Sequence, residues 1–276
     1  MMIYVDNKAA YTVYADHLDT NVAMGSGAHY VVVQAWDTTG AVFKAAPMTI
    51  TVSSGGGGGI PSNAKTYANV NQMTGWQWCD KCAGSGGDGP KSIMSMTQFL
   101  SSPSMDSKSV QFYMAGSSAY SSAIWWRQLG PNPNASNFVY DLYFYVKNPS
   151  AVQALEFDAN QSLDGKKYIF GTQCDVLGHH DWDVWDTANH TWVRTGIACK
   201  APAAYSWNHL TLEFQRVGGQ AKFLSVTLNG NKSYINKSFW PEGVNAQELN
   251  VAFQMDGNGH NTAYSTWLDK VNFTVW

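Results

Sequence analysis

Carboxylates and indoles at two-residue spacing carry most of the chemistry legible in this chain. In Leu155-Glu156-Phe157-Asp158-Ala159-Asn160-Gln161, a strand turns Glu156, Asp158 and Asn160 to one face and Leu155 and Phe157 to the other. The run His179-His180-Asp181-Trp182-Asp183-Val184-Trp185-Asp186 repeats the theme, with Asp181, Asp183 and Trp185 on one side and Trp182 and Val184 on the other. A carboxylate that accepts hydroxyl hydrogen bonds, beside an indole that stacks on C–H faces, is equipment for holding a sugar. Trp125 and Trp126 are neighbours, so one faces a core and the other a surface. Arg127 follows them, with a guanidinium suited to clamping a uronate or a pair of hydroxyls. His179 and His180 are adjacent and point apart on a strand, so they are expected in a turn rather than on one shared ion.

Other chemistries are excluded. The 276 residues carry a net charge of -3 with 13% charged side chains, and no basic stripe offers itself to nucleic acid. No apolar run is long enough to span a bilayer. The Gly84–Gly89 stretch lacks the strand–helix setting of a phosphate loop, and no G-x-S-x-G elbow occurs. No cofactor for chemistry is expected. Aromatic residues reach 14%, with 12 Trp, which exceeds what a core needs and places rings at a surface.

Four cysteines allow three pairings. Cys79 with Cys82 and Cys174 with Cys199 is favoured: the first two are close in sequence, and each of the second two follows a strand-like run. A C-x-x-C redox motif would want a βαβ setting, and a zinc site two further ligands. Two disulfides imply an oxidising compartment, hence a secreted or cell-surface protein. Met1-Met2-Ile3-Tyr4-Val5-Asp6 has neither the basic nor the apolar region of a signal peptide, so a secretion signal is expected to be removed or to lie upstream.

The elements that must position these residues are strands. Ser53-Ser54 and Gly55–Gly59 read as a flexible linker, dividing the chain into 1–53, a linker over 54–66, and 67–276. The first part holds short β-rich runs around Ile3, Tyr11, His29–Trp36 and Met48. The last part holds roughly ten alternating strands separated by turns such as Asp164-Gly165 and Asn229-Gly230. That pattern predicts an all-β fold with a large antiparallel β-sandwich, one sheet of which curves to receive an extended ligand.

Two resemblances follow from particular runs. HYVVVQAWDTTGAVF, with the later MTITV, resembles the closing strands of a bacterial immunoglobulin-like domain. At about 52 residues it would be a truncated immunoglobulin-like β-sandwich, with an open edge that invites pairing into a homo-oligomer. The long domain resembles the concanavalin A-like lectin/glucanase jelly roll in Ala154–Asp158, in Trp207-Asn208-His209-Leu210-Thr211-Leu212 and in Trp267–Phe273.

The first resemblance implies a bacterial source, and the second implies a polysaccharide as partner. Glu156-Phe157-Asp158 is similar to the E-x-D strand of retaining glucanases, which would make Glu156 the nucleophile and Asp158 its tuning carboxylate. The third member of that motif is an acid; here it is Asn160 or Gln161, so Asp183 and Glu213 become the candidate acids. Trp185, Trp126, Arg127, Gln173, Asn160 and Gln254 are the candidate sugar contacts. A structural calcium is implied as well, with Asp269 and the backbone near Asn69–Asn71 as ligands if the chain ends meet. The reading is a polysaccharide-binding and hydrolysing protein, against a non-catalytic binding module. A weaker third reading is a polysaccharide lyase built on Tyr143, His209, Arg127 and Gln173.

Overall fold

A computed structural model describes residues 1–18, 20, 22, 24, 27–52, 60–80, 92–115, 118–260 and 262–276. Ser53–Gly59, Cys82 and Gly84–Gly89 lie outside the described residues. The chain forms two compact units, Met1–Ser62 and Asn63–Trp276.

The first unit contains β1 (Met2–Val5), β2 (Lys8–Thr12), β3 (Gly27–Trp36), β4 (Val42–Lys44) and β5 (Met48–Val52). They make one antiparallel sheet in the order β2-β1-β3-β4. The long β3 is shared on its far edge: β5 pairs with its first half and β4 with its end. Ile3 and Val31 are the buried apolar residues here, while Val42, Phe43, Met48 and Ile50 are exposed. Among the described residues no second sheet covers them.

The second unit contains β6 (Lys65–Tyr67), β7 (Gln77–Cys79), β8 (Ile93–Leu100), β9 (Ser109–Ala115), β10 (Ala119–Gln128) and β11 (Asn137–Val146). Then come β12 (Val152–Leu163), β13 (Lys166–Asp175), β14 (Asp181–Asp186), β15 (Thr191–Ala198) and β16 (Trp207–Val217). It closes with β17 (Gln220–Leu228), β18 (Asn231–Phe239), β19 (Glu242–Gly243), β20 (Glu248–Asn258) and β21 (Tyr264–Val275). Lys65 and Thr66, read from sequence as linker, pair with Val275 and Thr274 on β21.

Two eight-stranded antiparallel sheets pack face to face. One runs β15-β14-β13-β12-β20-β10-β7, with β19 against β13. The other runs β18-β17-β16-β11-β21-β9-β8, with β6 against β21. The expected all-β sandwich is therefore present. Its core follows from strict alternation. Phe157, Phe170 and Phe253 project from the first sheet, and Phe138, Phe214 and Phe273 from the second, all buried. Rings meet across the gap, with Phe138 to Phe170 and Phe170 to Phe214 both at 5.2 Å between centroids. Each such pair adds about 1 kcal/mol beyond the area it removes from water.

The Cys174–Cys199 disulfide ties the end of β13 to the chain just past β15. Cys79 is also disulfide-bonded.

Candidate functional site

Antiparallel partners directly opposite each other point to the same side of a sheet. The register therefore lays out the outer face of the first sheet as a grid. One row reads Arg194, Asp183, Gln173, Glu156, Gln254, Ile124 and Cys79, from β15 to β7. A parallel row carries Gly171, Asp158, Ala252, Trp126 and Gln77. Asn160 and Asn250 follow on one side of these rows, and Asp181, Asp175 and Asp256 on the other. Alternation along β14 adds Trp185, which pairs with Trp192 across β15.

Sequence alternation thus brings Glu156, Asp158, Asn160, Gln173, Asp183, Trp185, Gln254 and Trp126 onto one surface. The face is not the solvated one that alternation implies. Glu156 is 5% exposed, Asp158 4%, Gln173 3%, Gln254 4% and Asp183 0%. Seven strands abreast surround each polar side chain with its neighbours. The indoles of Trp185 and Trp192 close over Gly171, where a Cβ would stand 3.0 Å from Trp185 Cβ and 3.4 Å from Asp158 Oδ1.

Burial raises the carboxyl pKa values. Desolvation lifts Glu156 well above the usual carboxylate range, and the neighbouring charges of Asp158 and Asp256 add to it. Asp158 is raised to about 7 by desolvation, although hydrogen bonds from Glu156 and the Thr172 amide pull the other way. Asp256 rises to about 7, again from desolvation.

Acceptor atoms without donors collect on this face. Glu156 Oε2, Asp158 Oδ1, Asn160 Oδ1, Asp181 Oδ1, Asp183 Oδ1 and Gln254 Oε1 are all buried and unpaired within the protein. Asn160 spends its amide on Asn250 Oδ1 at 2.9 Å, and Gln254 spends its amide on Asp256 Oδ1 at 3.1 Å. A groove of about 340 Å³ opens beside Asn160, lined also by Asn250, Lys167, Trp126, Gln128 and Gln77.

The remaining predicted residues fall elsewhere. Glu213 lies on β16 of the opposite sheet, where Lys232 Nζ reaches it at 2.6 Å and Ser225 donates to it, so it is no acid for Glu156. Arg127 alternates with Trp126 and pairs opposite the core residue Val251; its guanidinium donates to the Gln128 carbonyl, away from the grid. Tyr143 and His209 stack at 4.3 Å on the second sheet, remote from Gln173 in the strand order, and His209 bonds Asp141. The ends of the second unit meet, with β6 on β21, and Asp269 accepts from Ser104 Oγ at 2.7 Å, the Met105 amide at 2.6 Å and the Lys270 amide at 2.8 Å. These bonds make it an anchor of the 100–108 loop. Among the described residues, Asp175, His179 and Asp183 are the group with metal-ligand spacing. Asp175 and Asp256 flank Ala154 from the strands on either side, a placement set by long-range register and not legible in local alternation.

No family model matches this chain. No curated protein matches it either. Several solved structures are similar in backbone. A β-sandwich carbohydrate-binding module, studied for promiscuous specificity, is 10% identical, covers 92% of this chain and 76% of its own, and has a TM-score of 0.41. The cellulose-induced protein Cip1 is 13% identical over 72% of this chain and 90% of its own, with a TM-score of 0.42. An endo-β-1,4-glucuronan lyase from the fungus Trichoderma reesei is 9% identical over 75% and 94%, with a TM-score of 0.43.

Proposed function

We propose that the second unit binds a polysaccharide along the outer face of its first sheet, and that the protein works outside the cytoplasm. The observation that carries this reading is the group of buried acceptors without donors, Glu156, Asp158, Asn160 and Gln254, beside the partly exposed indole of Trp126 at the groove. A polyhydroxylated ligand supplies hydroxyl donors to such atoms and a C–H face to such a ring. Leaving a buried acceptor unmade costs about 1–3 kcal/mol, so filling several is a strong drive toward a donor-rich partner. The disulfides support an oxidising location.

Binding without cleavage fits better than hydrolysis. Retaining hydrolysis needs its carboxyls roughly 5–5.5 Å apart with the sugar between them. Here the position of the acid is taken by the amide Asn160, Glu213 lies on the opposite sheet, and Asp183 is engaged by His179 at 2.8 Å.

The first unit is read as one sheet of an immunoglobulin-like sandwich. Uncovered Val42, Phe43 and Met48 support that reading and a partner for it, a second copy of the chain. Sedimentation tests it: a concentration-dependent dimer is expected, and a monomer at all concentrations rejects it.

A panel of β-glucans, xylans, mannans and polyuronates, scored for retention, for new reducing ends and for unsaturated products, tests the main reading. Retention without products is expected. Reducing ends lost in Glu156→Gln would replace it with hydrolysis, unsaturated products with a lyase, and no retention of any polymer would reject it.

A further inference from the structure

At the β13–β14 end of the grid, two buried carboxylates face one half-exposed imidazole. Asp175 is 1% exposed, Asp183 0%, and the His179 side chain 47%. His179 Nδ1 lies 2.8 Å from Asp183 Oδ2 and 3.6 Å from Asp175 Oδ2, and one ligand atom from each residue falls within 4.8 Å of the others. With metal bonds of about 2.0–2.2 Å, adjacent ligand atoms stand roughly 3.0–3.5 Å apart, so these separations bracket the edges of a coordination polyhedron.

A second observation points the same way. Asp183 Oδ1 is fully buried and receives no hydrogen bond, while Gln173 and His179 both address its other oxygen. No lysine or arginine pairs with Asp175 or Asp183 among the described residues; the nearby Arg194 goes to Asp181 at 3.1 Å. Two adjacent buried carboxyl groups thus have one imidazole beside them and no lysine or arginine partner among the described residues. Burying charge without compensation is expensive, and a bound cation removes that cost.

The surroundings hold the ligands as metal sites require. Asp175 accepts from the Gly178 and His179 amides at 2.9 and 2.7 Å, from Tyr120 at 3.0 Å and from Gln153 at 3.4 Å, which fixes its plane. Gly178 has no substitute in that wrap: a Cβ there would stand 2.0 Å from Tyr120 Oη and 2.3 Å from Asp175 Oδ2.

We propose that Asp175, His179 and Asp183 bind one first-row divalent cation of the zinc class, with the remaining coordination positions open on the solvent side of His179. One imidazole among the ligands favours zinc, cobalt or manganese over calcium, which seeks six to eight oxygens.

The full chain, stripped with chelator and dialysed, is titrated with Zn²⁺ by calorimetry and with Co²⁺ by visible absorbance. One equivalent is expected to bind, to raise the melting temperature and to give cobalt d–d bands. His179→Gln and Asp183→Asn are expected to weaken binding by at least about tenfold with unchanged circular dichroism. His209→Gln, on the other sheet, is expected to bind like the parent. If Asp183→Asn fails to fold, the half-exposed His179→Gln still decides the matter. No stoichiometric uptake, uptake unchanged in His179→Gln, or preference for Ca²⁺ over Zn²⁺ would overturn the proposal. None of these readouts depends on a polysaccharide.

Discussion

Glu156 and Asp158, two residues apart on β12, turn their carboxyl groups to the same face of the sheet, where both are nearly inaccessible. Gln173 and Gln254 flank Glu156 on the strands to either side. The pair therefore sits at the centre of a polar layer that the sandwich buries outside its apolar core. Such a layer is costly for a protein that uses it for nothing.

That cost makes stability depend on pH. Asp158 and Asp256 are raised from 3.8 to about 7 in the folded protein, so the native state holds more protons than the unfolded state between those values. Their contribution to stability is complete below about pH 4 and is lost as pH rises through about 7. Thermal unfolding should show a melting temperature that falls from pH 5 to pH 8. Asp256→Asn should flatten that slope and raise the midpoint at pH 8 by about 4 °C or more. A midpoint that rises over the same interval in the parent would contradict the burial of these carboxyls.

Gly171 makes room for the indole beside Asp158. Gly171→Ala places a Cβ 3.0 Å from Trp185 Cβ, with the crossing Trp192 ring 3.5 Å away. Chemical denaturation should report a loss of about 1–3 kcal/mol, and the tryptophan emission of the folded state should shift. An unchanged spectrum would mean that Trp185 does not lie against β13.

Asp269 is read as a structural anchor. Asp269→Asn turns an amide donor toward Ser104, Met105 or Lys270 and should cost about 2–4 kcal/mol. Chelation of calcium should leave the melting temperature of the parent unchanged. A drop on adding chelator that excess calcium restores would return Asp269 to the role of ligand.

Local alternation was legible in the sequence wherever one face of a strand is apolar. Leu155 and Phe157 against Glu156 and Asp158, or Val251 and Phe253 against Ala252 and Gln254, declare their sides without any tertiary information. Alternation says nothing about which sheet a strand joins. Glu213 shows the same pattern as Glu156 and belongs to the other sheet, because β16 pairs with β11 and β17. Arg127 illustrates the other failure, since its side was set by which of Trp125 and Trp126 entered the core. The metal-spaced triad was hidden for a third reason. The turn expected at His179 and His180 is present, with His180 at a φ of 54°, but nothing local in the sequence says that this turn folds His179 back onto Asp183. Burial of the polar face also escaped prediction: alternation marks a side as outward, but only the number of strands abreast decides whether outward means wet.

The most direct measurement is the affinity of a matching oligosaccharide for the parent and for Trp126→Ala, by calorimetry, with circular dichroism as control for folding. Trp126 is a half-exposed ring at the groove and off the core, so its loss should spare the fold. The account predicts roughly tenfold or greater weakening, in the range of a lost stacking contact of about 1–3 kcal/mol. Equal affinity in the two proteins would show that the ligand, if any, lies on another surface.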